Sequence, residues 1–181
     1  MGEQITVRQY LRTPETIRPM ELVYGVVREP PAPRYDHQSI VTHLAGLLDR
    51  HVRKHRLGRV CASPVDVVLD REQALVLQPD IIFVATERLR IIRDRVWGPP
   101  DLVVEVLSPG TARRDRTLKL PWYRQYGVQE CWLVDPLTRR VEIVDLATPW
   151  RRRPRRVHPR RASIRSRVLP AFRVPPARFF E

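Results

Sequence analysis

The sequence has few cysteines and no long hydrophobic segment. Cys61 and Cys131 are the only two cysteines among 181 residues, too few for a disulfide framework and without the spacing of a metal site. No apolar run approaches the length of a membrane span, and the N-terminus has no signal-peptide pattern. We therefore expect a cytoplasmic protein with no membrane partner, and the length suits a single domain with a substantial core.

Acidic residues are scarce near the C-terminus. Residues 151–181 contain eleven arginines and a single acid, Glu181, so this segment carries +10 of the total net charge of +13. The sequence thus divides into a nearly balanced body, residues 1–150, and an arginine-rich C-terminal extension, residues 151–181. Such a segment either binds a polyanion such as nucleic acid or is a solvated tail. The arginines predicted to contact nucleic acid are Arg151, Arg152, Arg153, Arg155 and Arg156.

The segment from Leu102 to Leu107 is apolar except for Glu105, and prolines lie on both sides of it. This pattern predicts a strand that is buried on both faces of a sheet. Burying a carboxylate costs several kcal/mol unless a cation, a metal or hydrogen-bond donors meet it. Glu105 therefore needs a partner elsewhere in the chain.

The elements around this strand predict an α/β fold. A short helix at 6–11, a hairpin at 21–27 and a long helix from Asp36 to about Arg56 come first, followed by strand regions at 59–69 and 75–85. The strand at 102–107, a helix carrying Lys119 and a strand at 131–134 form a crossover unit, which makes the two strands parallel. The earlier strands suit an antiparallel meander. We expect a mixed sheet flanked by helices, with a last strand at 141–146 paired to 131–134.

Asp80 and Glu105 are predicted to meet at one edge of this sheet. If the strand after Asp80 pairs antiparallel with the strand of Glu105, the start of the first lies beside the end of the second. Two close carboxylates repel each other unless a cation lies between them, and all-oxygen ligation favours magnesium or manganese. Lys119 follows Glu105 by fourteen residues, on a helix that returns over the sheet, and could reach the same site.

Each of these residues also has a plainer explanation. Asp80 alone suits a turn after Pro79, and Lys119 could form a helical ion pair with Asp115 on a solvated face. Glu21 could begin a strand and face solvent. His37 lies near a helix start, where a histidine is often a capping or surface residue. Glu105 is the exception, because an acid in the middle of a buried strand needs a partner under any explanation.

Several segments together resemble the Uma-type endonuclease family of the restriction-endonuclease-like, PD-(D/E)XK superfamily. The segments are Glu21 to Gly25, Pro79-Asp80, Pro100 to Pro109, Thr111 to Asp115 with Lys119, and Glu130 to Pro136.

The resemblance implies a restriction-endonuclease-like fold with a metal-dependent phosphodiesterase site. Asp80 and Glu105 take the metal-ligand roles, and Glu21, which matches an additional N-terminal acid, is the third candidate metal ligand. The superfamily's usual lysine two residues after its acid is replaced by Leu107, which points to the helix residue Lys119 instead. His37 matches the family's histidine at the first long helix and is a further candidate.

The sequence therefore predicts a Mg²⁺-dependent endonuclease, with Mn²⁺ as a substitute ion, that acts on DNA. We also allow for a homodimer. Two alternatives stay open at this point. The first is a non-catalytic nucleic-acid-binding protein on the same fold. The second is a folding or assembly module in which Glu105 and Lys119 form a buried salt bridge that is unaffected by magnesium.

Overall fold

A computed structural model of the protein describes residues 4–14, 18–149, 155–158 and 161–181. The helices are α1 (Val7–Tyr10), α2 (Tyr35–His55), α3 (Ala112–Arg114) and α4 (Leu120–Tyr126). The strands are β1 (Glu21–Val23), β2 (Val26–Arg28), β3 (Gly58–Ala62), β4 (Val67–Asp70), β5 (Leu75–Leu77), β6 (Ile81–Ala85), β7 (Val96–Trp97), β8 (Leu102–Val106), β9 (Glu130–Asp135), β10 (Arg140–Asp145) and β11 (Arg155–His158).

The main sheet has six strands in the order β11-β10-β9-β8-β6-β3. β8 is parallel to β9, as the crossover unit predicts, and antiparallel to β6. β10 is antiparallel to β9. All five residues of β8 are buried, which confirms the central strand expected from its apolar run. The mixed α/β architecture flanked by helices is confirmed.

A second sheet of five strands, in the order β2-β1-β5-β4-β7, accounts for a difference from the predicted strands. The regions 59–69 and 75–85 were each expected to hold a strand of the meander, but each is divided between the two sheets. Pro64 interrupts the first region and Pro79 the second. Because proline cannot donate a backbone hydrogen bond, the ladder stops there and the next strand joins the other sheet.

Helix α2 covers one face of the main sheet. Its buried stripe consists of Ile40, Val41, Leu44, Leu48 and Val52. These residues recur at the spacing of one helical face and pack against inward residues of the sheet. The predicted start of the helix needs correction, because the helix begins at Tyr35 with Arg34 as its N-cap, and Asp36 lies in the first turn. The predicted end near Arg56 is confirmed, since Arg56 is the C-cap and has a left-handed conformation.

The other face of the main sheet is covered by the small sheet and by one continuous helical segment, residues 112–126. This crossover helix contains a π-helical turn, Asp115–Lys119, between α3 and α4. Pro121 lies at the start of α4, and a proline cannot donate to the carbonyl four residues before it and also clashes with it. The wider turn relieves this conflict, so Pro121 modifies the helix without ending it.

The C-terminal residues return to the face of the main sheet that α2 covers. Leu169, Phe172 and Phe179 are buried in the same cluster as the α2 stripe. The ring of Trp132 lies 5.6 Å from that of Phe172 and 6.2 Å from that of Phe179, between ring centroids. Glu130 anchors this segment, because its side chain accepts hydrogen bonds from Ser166 Oγ and from the Arg167 backbone N–H. The predicted division at residues 150 and 151 lies outside the described residues.

Candidate active site

Lys119 lies at the centre of a buried cluster of carboxylates. Its Nζ is 3.0 Å from Glu21 Oε1, 3.1 Å from Glu105 Oε1 and 3.7 Å from Asp115 Oδ1. Only 8% of its side chain is exposed. The cluster brings together β8, the π-helical turn that follows it closely, and β1 from near the N-terminus.

Asp80 and Glu105 lie next to each other at one edge of the main sheet. The register pairs Ile81 with Val104, so Asp80, one residue earlier, comes opposite Glu105. The side chain of Asp80 is fixed by the Val106 backbone N–H, which donates to Oδ2 at 2.7 Å. Glu105 accepts hydrogen bonds from Lys119 and from the Tyr123 hydroxyl, both at Oε1.

Glu21 is held by cations. Besides Lys119, it contacts Arg114, whose Nη1 lies 2.6 Å from Glu21 Oε2. The Gln78 backbone N–H donates to Glu21 Oε1 at 3.2 Å. Burial alone would raise the pKa of Glu21, but Lys119 and Arg114 outweigh it and lower the pKa. Glu21 is thus a buried carboxylate in an ion-pair network and does not face solvent.

The pKa values at the centre of the cluster reflect burial and crowding. Burial raises the pKa of Glu105 well above its usual range, Asp115 and Asp80 raise it further, and Lys119 opposes them. Burial also raises the pKa of Asp115. Burial would lower the pKa of Lys119, yet the surrounding carboxylates reverse this and raise it. Lys119 therefore stays protonated.

His37 approaches the cluster from α2. Its Nε2 lies 3.4 Å from Asp80 Oδ2, and both side chains are largely buried. Burial lowers the pKa of His37, but the contact with Asp80 outweighs it and the net pKa is raised. The structure thus brings together all five candidates from the body of the chain: Glu21, His37, Asp80, Glu105 and Lys119.

The candidate arginines of the extension lie elsewhere or outside the described residues. Arg155 and Arg156 belong to the edge strand β11 and are exposed. Arg155 Nη1 is 3.4 Å from Glu142 Oε1. Arg151, Arg152 and Arg153 lie outside the described residues. The extension therefore contributes an arginine-bearing edge to the main sheet.

Three residues of the cluster were missed or misjudged in the sequence. The sequence predicts Asp115 only as a partner of Lys119 on a solvated face, yet Asp115 is 3% exposed. Tyr123 and Arg114 are not among the site residues predicted from the sequence. Asp115, Lys119 and Tyr123 recur every fourth residue, a spacing that places them along one helical face. That spacing was a usable signal, whereas nothing local pointed to the contact between Arg114 and Glu21.

Comparison with known proteins identifies the family. A family model, Uma2, described as "Putative restriction endonuclease", matches residues 7–177. The chain belongs to the Uma2 family. No curated protein matches this sequence. Among solved structures, the Uma2 chain is similar to a putative nuclease of the DUF820 group from Anabaena variabilis ATCC 29413, with a TM-score of 0.80, 20% sequence identity and coverage of 97% of each chain. This likeness supports the fold.

Restriction-endonuclease-like families generally use divalent metal ions, and the Uma2 site can be tested for its fit to one. Within residues 4–14, 18–149, 155–158 and 161–181, no group of three or more His, Cys, Asp or Glu side chains is arranged to hold a metal ion. Mg²⁺, however, is commonly bound through one or two carboxylates, with water and substrate phosphates completing its shell. Asp80 and Glu105 supply two such carboxylates at one edge of the main sheet. This donor set fits a hard divalent cation.

The charge balance of the cluster also fits a divalent cation. Four carboxyl groups, those of Glu21, Asp80, Glu105 and Asp115, face the two permanent cations Lys119 and Arg114. A bound divalent cation would offset the excess of acidic groups.

The described part of the chain contains no helix that is long and apolar enough to cross a membrane.

Proposed function

We propose that this Uma2 protein is a metal-dependent endonuclease that hydrolyses phosphodiester bonds in DNA. The observation that carries the proposal is the position of Asp80 opposite Glu105, with the ammonium of Lys119 3.1 Å from Glu105 Oε1. The family description, restriction endonuclease, supports this assignment. The net charge of +13 suits a polyanionic substrate.

Asp80 and Glu105 would hold the divalent ion, with Mg²⁺ as the expected ion and Mn²⁺ as a substitute. Such an ion would polarise the phosphate and lower the pKa of the attacking water. The Val106 N–H and His37 hold Asp80 from one side. Tyr123 and Lys119 hold Glu105 from the other. These contacts fix both carboxylates before substrate arrives, which lowers the cost of assembling the site.

Lys119 would stabilise the negative charge that develops on the phosphate during attack. Its ammonium cannot reorient freely, because three carboxylates surround it and most of its surface is buried. A fixed cation in a site of low dielectric stabilises a transition state more than a mobile one in water does. Glu21 and Asp115 would hold Lys119 in place.

The test is cleavage of a supercoiled plasmid by the purified protein with Mg²⁺ or Mn²⁺, and with EDTA. Cleavage should require the ion and should fall at least about a hundredfold in Asp80→Asn and Glu105→Gln. Isothermal titration with Mn²⁺ should show a site that both variants lose. Asp49→Asn is the control, because Asp49 pairs with Arg53 on the surface of α2.

Two outcomes would contradict the proposal. DNA binding without cleavage under any ion would favour the non-catalytic binding protein. Unchanged Mn²⁺ binding in either carboxylate variant would show that Asp80 and Glu105 do not share an ion.

A further inference from the structure

Arg114 is the second cation of the cluster, and it has fewer partners than Lys119. Arg114 Nη1 and Glu21 Oε2 are 2.6 Å apart, close enough for an ion pair but not aligned for a hydrogen bond. Among the described residues, neither Arg114 Nη2 nor Glu21 Oε2 has a hydrogen-bond partner, and both atoms are buried. Nη2 is thus a buried donor without a protein acceptor, whereas Glu21 Oε2 is engaged by its ion pair with Nη1.

Such an unused donor calls for an explanation. A buried polar atom without a partner costs free energy, and native proteins leave few of them. A charged guanidinium is a costly group to leave in this state. Its planar fork of N–H donors matches the oxygens of a phosphate. The unused Arg114 donor therefore has the chemistry of a phosphate contact.

Access distinguishes Arg114 from Lys119. Three carboxylates surround Lys119, and its side chain is 8% exposed. Arg114 contacts one carboxylate, and 26% of its side chain is exposed. A substrate phosphate that enters the site can therefore meet the exposed part of Arg114 without displacing the ion pairs of Lys119, and the buried Nη2 reaches it when the guanidinium turns about its contact with Glu21.

We propose that Arg114 is a catalytic residue that donates from Nη2 to a nonbridging oxygen of the scissile phosphate, while Nη1 remains on Glu21. This inference rests on the proposed nuclease function and adds a substrate contact to it. Glu21 then acts as the positioning residue that orients the guanidinium. The contact is made to one of the two nonbridging oxygens, so it distinguishes the two faces of the phosphate.

The chain offers a matched control. Arg113 is the preceding residue of the same helix, is exposed, and points about 100° around the axis from Arg114. Arg113→Gln and Arg114→Gln remove the same charge from neighbouring positions. An effect of net charge alone would be the same in both variants.

The experiment measures cleavage of a short DNA duplex by the wild type, Arg114→Gln, Arg114→Lys and Arg113→Gln. Arg114→Gln should lower kcat/KM at least about a hundredfold. Arg114→Lys, which keeps the charge but not the fork, should lose about tenfold. Arg113→Gln should stay close to wild type. Wild-type rates in a folded Arg114→Gln overturn the inference. If Arg114→Gln does not fold, wild-type rates in Arg114→Lys overturn it instead.

Sulfur substitution supplies a readout that a purely structural role would not change. Duplexes carrying a single phosphorothioate of either configuration at the cleaved position should be cut at different rates by the wild type. Arg114→Gln should lose the part of this difference that comes from the oxygen it contacts. An unchanged stereochemical preference in Arg114→Gln overturns the inference.

Failure of the proposed nuclease function can be distinguished from failure of the proposed Arg114 contact. If the wild type cuts no DNA with Mg²⁺ or Mn²⁺, the proposed function fails by itself. Binding of a fluorescently labelled duplex in EDTA then tests Arg114. Weaker binding by Arg114→Gln than by Arg113→Gln supports the phosphate contact, and equal binding overturns it.

Discussion

Lys119 shows how strongly one buried residue can determine both stability and chemistry. Its ammonium forms ion pairs with Glu21, Glu105 and Asp115. Removing one partner of a buried ion pair leaves charges without compensation, and this costs more than the pair itself contributes. A substitution at Lys119 therefore affects folding as well as the proposed reaction, and the two effects have to be measured separately.

Lys119→Met keeps most of the apolar stem and removes the charge. We expect the free energy of unfolding to fall by about 3–5 kcal/mol, measured by urea denaturation without metal. Cleavage, assayed below the melting temperature of the variant, should fall at least about a hundredfold. Mn²⁺ binding should persist, because Asp80 and Glu105 remain.

Lys54→Met, on the exposed end of α2, serves as the control and should change neither quantity appreciably. A loss of stability with normal cleavage would favour the assembly module with a structural salt bridge. That alternative also predicts that Mn²⁺ does not stabilise the wild type, since a salt bridge has no need of a metal.

At the scale of helices and strands, the elements that follow one another closely in the sequence were predicted best. β8, the crossover helix and β9 were predicted because an apolar run, a helix and a second apolar run follow each other closely, and such a unit closes with one handedness. The position of Asp80 opposite Glu105 followed from the antiparallel pairing of β6 and β8.

The division into two sheets could not be predicted in this way. Whether β4 and β5 join β3 and β6 or form a separate sheet depends on pairings with β1 and β7, which are distant in sequence. The same limit applied to the site. Arg114 meets Glu21 only because β1 is brought next to the crossover helix, and a contact over such a separation leaves no local pattern.

Two glycines offer a test of the packing between elements. Gly58 begins β3 with a φ of +148°, and a Cβ there would lie 2.0 Å from the Val84 carbonyl oxygen of β6. Gly58→Ala should therefore weaken the β3–β6 pairing and lower the free energy of unfolding by about 1–3 kcal/mol or more. Chemical denaturation measures the change.

Gly46→Ala is the matched control. Gly46 lies inside α2, and among the described residues no atom beyond its chain neighbours and the nearby helix backbone lies within 4 Å of a Cβ placed there. Alanine is preferred over glycine in a helix by about 1 kcal/mol, so this variant should be more stable than the wild type. Equal effects of the two substitutions would mean that the contact between Gly58 and Val84 does not limit the fold.

For the molecule as a whole, the dominant feature is the uneven distribution of charge. The segment 151–181 carries most of the net charge, and two of its arginines lie on the edge strand β11. Arginine side chains at a sheet edge discourage pairing with another chain. They also present positive charge that could contact a nucleic-acid backbone outside the candidate active site.

We expect the extension to contribute DNA affinity without taking part in the reaction. Glutamine at Arg151, Arg152, Arg153, Arg155 and Arg156 should weaken DNA binding. It should also reduce the slope of log K against log salt by up to about 0.9 for each phosphate contact removed. Fluorescence anisotropy over a range of salt concentrations measures both quantities. Cleavage at saturating DNA should be unchanged.

A variant with five exposed cations of the α2 region replaced by glutamine, Arg34, Arg50, Arg53, Lys54 and Arg56, is the control for net charge. If it flattens the salt dependence as much as the variant of the extension, the extension is not the contact surface.

The packing of the C-terminal aromatics against α2 and Trp132 affects how the protein is made. Phe179 follows Ile40 by 139 residues, which at ribosomal speed corresponds to roughly 7 to 28 s of synthesis. During that time the apolar stripe of α2 has left the ribosome without the side chains that complete its core. A nascent chain that stops before Phe172 exposes this surface permanently, so premature termination near the end should yield an aggregating product and engage chaperones.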